Sequence, residues 1–249
     1  MSTKLEVCCG SYQDVVSAYK GHADRVELNS ALHMGGLTPS LATLIKAKKM
    51  CSIPIICMTR VRGAGFCFND EEKEIMYEDA KLMLEHGADG IAFGYLTDQR
   101  TIDVTETKKM VELIHSYHKE AVFHRAFDCV MDMDEAIQVL ISLGVDRILT
   151  SGLKHTVVEG TMNLAYLQQR YGNQIEILAG CGVNEENVEK LVADTGVNQV
   201  HSSCKGWQSD VTTKGEEVSY AYASEPHELD YDVVSLKKVL ALKMRISKS

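Results

Sequence analysis

The sequence predicts a closed parallel (β/α)8 barrel of the TIM type. Three observations carry this. Eight short strand-like runs alternate with helical segments along 249 residues. Several helices end at a glycine that feeds the next strand within a few residues, in "KGHADRVEL", "EHGADGIAF", "SLGVDRILT" and "DTGVNQVHS". Charged side chains recur at alternate positions inside strands, where a barrel that only had to be filled would carry Val, Ile and Leu. Regular β-α alternation argues for a parallel sheet, and eight units suit closure. A doubly wound open sheet is the alternative. No Pro/Gly/Ser-rich linker divides the chain, so residues 1–249 are expected to form one domain.

The elements follow in order. In "KLEVC" (4–8) Leu5 and Val7 should face the helices, leaving Glu6 and Cys8 inward. In "RVELN" (25–29) Val26 and Leu28 face out, so Arg25, Glu27 and Asn29 face in. "HMGGLTPS" (33–40) is a glycine-rich loop with Thr38 as helix N-cap and Pro39 in the first helical position; it suits an anion or a plain tight turn. "PIICMTR" (54–60) ends at Arg60, and with Arg62 in "MTRVRGAGF" it reads as an anion clamp or as two surface arginines. The clearest helix, "EEKEIMYEDAKLMLEHG", puts Ile75, Met76, Ala80, Met83 and Leu84 on one face. "GIAFG" (90–94), "AVFHR" (121–125), "RILTS" (147–151), "IEILAG" (175–180) and "QVHSS" (199–203) complete the eight. A polar stretch without clear period, 204–230, precedes a last helix, "YDVVSLKKVLALKMR". A loop that long is usually functional or disordered. It is expected to be an ordered arm beside the mouth, burying Trp207, Val218 and Tyr222.

The net charge of −9 argues against a nucleic-acid partner. No apolar run is long enough to span a bilayer, and "MSTKLEVCCG" enters a strand at once, leaving no room for a secretion signal. A cytoplasmic protein is expected. The eight cysteines include no C-x-x-C pair, and most read as small buried hydrophobes.

"FHRAFD" (123–128) places a base, a fixed cation and a carboxylate at a strand end, where barrel enzymes do their chemistry. His124 can exchange protons near neutral pH, Arg125 can hold an anion, and Asp128 can orient His124. The alternative is an Arg–Asp pair that braces the loop. With Glu6, Glu27, Arg60 and His201 converging from other strands, a functional mouth is favoured. Ser151 and Gly152 after the sixth strand, Gly180 in the seventh and Ser202 in the eighth are further substrate-binding candidates, since barrels often seat a phosphate after strands seven and eight.

At "LEVC", "ADRVELNSALHMGGLTPS", "RVRG", "HRAFD", "RILTSG" and "VHSS…W" the chain resembles the CutC family. The resemblance implies a TIM barrel, a cytoplasmic location and copper homeostasis, with Cu(I) bound through cysteine. Cys8 and Cys9 match the pattern. Asn29 stands where the family often has cysteine, Val61, Ala64 and Gly65 depart from its arginine loop, and Cys181 and Cys204 replace small residues. Cys8, Cys181 and Cys204 follow or end strands one, seven and eight, which are neighbours in a closed barrel; three thiolates there would select Cu(I). Unrelated buried thiols are the alternative.

Two functions follow. One is copper handling, with Cys8, Cys9, Cys181 and Cys204 as candidate ligands. The other is an enzyme acting on a small anionic, phosphorylated or sugar-like molecule, with Glu6, Glu27, His124, Asp128 and His201 as acid/base candidates and Arg60, Arg62 and Arg125 holding the anion. The partner is then copper or a small anion, and a homo-oligomer is allowed for.

Overall fold

The computed structural model describes residues 3–247. Eight strands close a parallel barrel in the order β1 to β8: β1 (Lys4–Cys9), β2 (Arg25–Leu28), β3 (Ile55–Met58), β4 (Gly90–Phe93), β5 (Glu120–Phe123), β6 (Arg147–Thr150), β7 (Glu176–Gly180) and β8 (Gln199–Ser202). Helices α1 (Tyr12–Lys20), α2 (Leu41–Met50), α3 (Asp70–Glu85), α4 (Val104–Ser116), α5 (Met133–Ser142), α6 (Thr161–Tyr171) and α7 (Val188–Thr195) connect successive strands. Beyond β8, β9 (Lys205–Ser209) and β10 (Asp230–Val234) pair antiparallel, and α8 (Leu236–Ile246) follows. Among the described residues no helix is long and apolar enough to cross a membrane.

The recurring "G-x-D" before strands has a physical cause. Asp24 Oδ2 accepts the Leu5 N–H (2.7 Å), Asp89 Oδ2 that of Ile55 (2.9 Å) and Asp146 Oδ2 that of Ala121 (2.7 Å). Each aspartate satisfies a donor at the start of the preceding strand. Gly87, Gly144 and Gly196 take left-handed φ as expected, but Gly21 does not (φ −83°), and His22 does instead. Gly21 is needed for space: a Cβ there would lie 2.5 Å from Val239 of α8.

Other boundaries differ from expectation. Ser40, not Thr38, caps α2, accepting from Thr43 N at 3.2 Å. Thr38 instead pairs with the backbone of Arg60. In α3 the buried residues are Met76, Ala80, Met83 and Leu84; Ile75 is exposed, one helical position off that stripe. The 204–230 segment contributes strand β9 and is not periodic because both faces of a two-stranded ribbon meet water. Trp207 is half-buried and stacks on His227 (centroids 4.3 Å apart). Tyr222 stacks on His33 at 4.8 Å but is exposed, as is Val218, so neither is buried as expected.

The barrel interior is divided. On β3, β4 and β5 the inward residues Ile56, Met58, Ala92 and Val122 form a small apolar cluster separate from the large core under the helices. On β1, β2 and β8 they are Glu6, Cys8, Arg25, Glu27, Gln199 and His201. At the strand starts, buried Arg147 bridges Glu120 (2.9 Å) and Glu176 (2.7 Å). Arg25 ion-pairs with Glu6 and donates to Gln199 Oε1 at 3.0 Å.

Glu6 is 2% exposed, so removing its cation strands a charge. Arg25→Met should cost about 3–5 kcal/mol in urea unfolding. The same change in a Glu6→Gln background should cost much less. Equal costs in the two backgrounds would mean that the residues do not act as a pair.

Candidate functional site

A cavity of about 620 Å³ opens where the C-terminal ends of the strands meet. Its floor comes from the polar half of the barrel. The β1–β2 register sets Cys8 beside Glu27, and the β1–β8 register sets Glu6 beside His201. His201 Nδ1 lies 2.8 Å from Glu6 Oε1, so its hydrogen goes to that carboxylate and Nε2 is left toward Glu27 Oε2, 4.0 Å away. Cys8 Sγ lies 3.8 Å from Glu27 Oε2, and Asn29 Nδ2 donates to the same oxygen at 2.9 Å. Among the described residues, Cys8, Glu27 and His201 form the one group of three or more candidate metal donors, with ligand atoms all within 4.8 Å of one another.

Burial raises the Glu6 carboxyl, but Arg25 and the hydrogen bond from His201 outweigh it and hold the group well below the usual carboxylate range. Glu27 is raised, by burial first and by the nearby Glu6 charge, with His201 opposing. For His201 burial acts downward, and the bond to Glu6 and the Glu27 charge overcome it, so the imidazolium is favoured beyond its ordinary range. Burial, then Glu27, pushes the Cys8 thiol well up. Glu27 and His201 are thus neighbouring titratable groups, 4.0 Å apart, that each raise or lower the other's charge cost beside a protonated thiol.

Across the barrel, His124 caps a short 3-10 turn, Arg125–Cys129. Its Nδ1 accepts the Ala126 N–H at 3.1 Å, which puts the ring hydrogen on Nε2. A Cβ on Gly94 would lie 2.5 Å from the ring, so only glycine fits there. His124 does not exchange protons near neutrality. Burial, then the Arg60 charge, lowers it to about 3.

Other expected roles also change. Asp128 does not touch His124. It accepts from Arg125 Nε (2.7 Å), Thr150 Oγ1 (2.5 Å), Ser151 N and Oγ (3.1 and 2.9 Å) and Leu153 N (3.1 Å), and so braces the β5–β6 rim. Ser151 serves that brace, Gly152 donates to Thr150 Oγ1 and accepts from Asn163 Nδ2 (2.9 Å each), and neither lines the cavity. Arg60 does line it but spends most of its guanidinium on the carbonyls of Met34 (3.1 Å), Gly36 (3.1 Å) and Ala64 (2.6 Å). Arg62 lies outside, on Glu72 of α3 at 2.5 Å, where Glu72 also closes the capping box with Asn69. Gly180 packs against Leu149 and His201 below the surface. Ser202 lines the cavity with its hydroxyl committed to Val183 O at 2.7 Å.

The thiols do not converge. Strand alternation turns Cys9 outward into the helical core, Cys204 is buried off the cavity, and only Cys8 and Cys181 line it. Cys181 Sγ lies 3.2 Å from His155 O. The rim is finished by His33, from the glycine-rich loop singled out in the sequence, and by Lys205 and Asp232, to which no motif pointed. Lys205 and Asp232 come from the ribbon, whose pairing has no local sequence signal.

Fold and site define a TIM-type barrel whose polar chemistry is gathered under its C-terminal mouth. The chain belongs to the CutC family, whose model matches residues 3–206. A CutC family protein of Treponema denticola is 41% identical over 95% of this chain and 96% of its own. One from Bacteroides fragilis is 36% identical over 94% of each. A solved structure from Streptococcus agalactiae, described as a copper homeostasis protein CutC, superposes with a TM-score of 0.76 at 32% identity, covering 81% of this chain and 98% of that one. Phosphoribosylanthranilate isomerase of Pyrococcus furiosus shares the fold alone, at 14% identity and TM-score 0.58, over 99% of this chain and 100% of its own.

His124 makes stability pH-dependent. Its folded pKa of about 3 lies below the ordinary 6.5, so the unfolded chain binds more protons between those values. Its contribution is complete above pH 6.5 and is lost as pH falls. His124→Asn keeps an acceptor for Ala126 N–H but does not titrate. From pH 6.5 to 4.5 the parent should lose about 2–3 kcal/mol more than this variant in urea unfolding. Parallel pH profiles would refute the assignment.

Proposed function

We propose that the chain binds copper as Cu(I) at the barrel mouth, through Cys8 and His201 with Glu27 beside them. The observation that carries this is the approach of one sulfur, one nitrogen and one oxygen donor to within 4.8 Å of one another. The sulfur is the selective element, because thiolates favour soft cations over hard ones. His201 is prepared as a ligand by Glu6, which takes its Nδ1 hydrogen at 2.8 Å and leaves Nε2 for a metal, an arrangement common around metal-binding histidines. The name carried by the Streptococcus agalactiae relative supports copper as the cargo.

The donors fit a single copper ion but not a thiolate cluster. Asn29 occupies the position from which a second sulfur would come, and its Nδ2 lies 3.5 Å from Cys8 Sγ. A soft cation must displace the thiol proton. Glu27, with its raised proton affinity and 3.8 Å from Sγ, is the acceptor at hand. Protonated by the thiol, Glu27 is then neutral, and the Cys8 thiolate balances the charge of the bound cation. All eight cysteines are free, which suits a reducing, cytoplasmic setting.

Cu(I) titrated into reduced protein against a competing chelator tests this. One ion per chain is expected, with the strong site lost in Cys8→Ser. Glu6→Gln should weaken binding about 10–100-fold. Cys9→Ser and Cys204→Ser should bind as the parent does. Affinity should fall as pH falls, because protons compete for Cys8 and for His201, whose own proton affinity is raised. Unchanged affinity in Cys8→Ser would overturn the proposal.

A further inference from the structure

The opposite wall of the cavity carries an independent feature. His124 and Arg60 are 3% and 4% exposed, and both line the cavity. Each keeps one buried nitrogen, His124 Nε2 and Arg60 Nε, without a hydrogen-bond partner. Buried polar groups are almost always paired, so two on one wall call for a cause. The Ala126 N–H on Nδ1 makes Nε2 the protonated nitrogen, and an arginine Nε carries hydrogen always. Both unpaired atoms are therefore donors, and what completes them must be an acceptor.

We propose that this wall binds a carboxylate or carbonyl oxygen of a small organic acid, which accepts from His124 Nε2–H and Arg60 Nε–H. Three further observations define the ligand class. The cavity, about 620 Å³, is of the size that small molecules occupy and far exceeds what an ion needs. Its charged lining includes Arg60 on this wall, with Arg125 beyond it paired to Asp128, and Lys205, Glu27 and Asp232 elsewhere, so the unneutralised charge beside His124 is the Arg60 cation. Its apolar lining lies beside the donors: the Phe66 ring is 5.1 Å from that of His124 and 4.9 Å from the Arg60 guanidinium, with Met58 and Leu149 also facing in. Apolar surface next to paired donors suits a carbon skeleton with an anionic or carbonyl oxygen better than a bare inorganic anion.

His124 stays neutral, so it donates this hydrogen without adding charge, and Arg60 supplies the positive potential. None of these donors lies on β1, β2 or β8, so the site stands whether or not Cys8 and His201 take copper.

Metal-free protein labelled with [15N]histidine is titrated separately with pyruvate, oxalate and inorganic phosphate, and the histidine ring resonances are followed. Pyruvate or oxalate at millimolar concentration should shift one protonated Nε2 signal saturably, and phosphate should not. That signal should be missing in His124→Asn, which keeps the cap on Ala126 but lacks Nε2. Calorimetry should give at least a tenfold weaker affinity for this variant, and His124→Gln, with a donor near the Nε2 position, should regain part of it. The proposal is overturned if neither organic acid moves the His124 signal, if phosphate alone does, or if His124→Asn binds as tightly as the parent. Should His124→Asn fail to fold, the parent's tautomer-specific Nε2 signal decides alone.

Discussion

The mouth of this barrel depends on one carboxylate that has no access to water. Glu6 is held by Arg25 on one side and by His201 Nδ1 on the other. A lone carboxylate at 2% exposure would take up a proton or destabilise the fold by several kcal/mol. Because it is paired twice, it stays ionised and ties together three adjacent strands, β1, β2 and β8. It also fixes the tautomer and tilt of His201, and so decides which atom faces Glu27 and Cys8. Burial raises Glu27 and Cys8 first, and the Glu6 charge adds to both.

Most of the remaining charge at the mouth does mechanical work. Arg60 gathers three carbonyls from two loops, and Asp128 gathers donors from β6 and the loop after it. Loops that would otherwise be mobile are held by buried or half-buried polar groups, so the cavity is shaped before anything enters it. Low exposure of these braces strengthens each bond and makes loss of any one costly.

The barrel was readable because its signals are local and periodic: alternation within each strand, and an aspartate before strands two, four and six that closes a bond to the strand before. The inward phase of Glu6, Cys8, Glu27 and His201 followed from the same alternation. What sequence could not supply was distance. "HRAFD" suggests His124 and Asp128 as partners, yet a 3-10 turn directs Asp128 to β6 and leaves His124 on Ala126. Arg60 and Arg62 look alike, yet one faces the cavity and the other a helix terminus. Cys8 and Cys9 are adjacent, so a strand must send them to opposite faces, which excludes them as joint ligands. Lys205 and Asp232 reach the same rim only through ribbon pairing across a gap of more than twenty residues, which no local pattern encodes.

The ribbon of β9 and β10 is held to α1 by the Val234 N–H to Asp14 bond at 2.7 Å, and its two ends are tied to each other by Ser235 N–H to Cys204 O at 2.9 Å. It nevertheless delivers a lysine and an aspartate to the rim. Its connecting stretch is solvated and carries little of the core, so it tolerates change in length and composition at low cost to folding. The charges that the ribbon brings to the rim can therefore change without disturbing the floor. Replacing these two rim residues alters the entrance and leaves the strand chemistry beneath it in place.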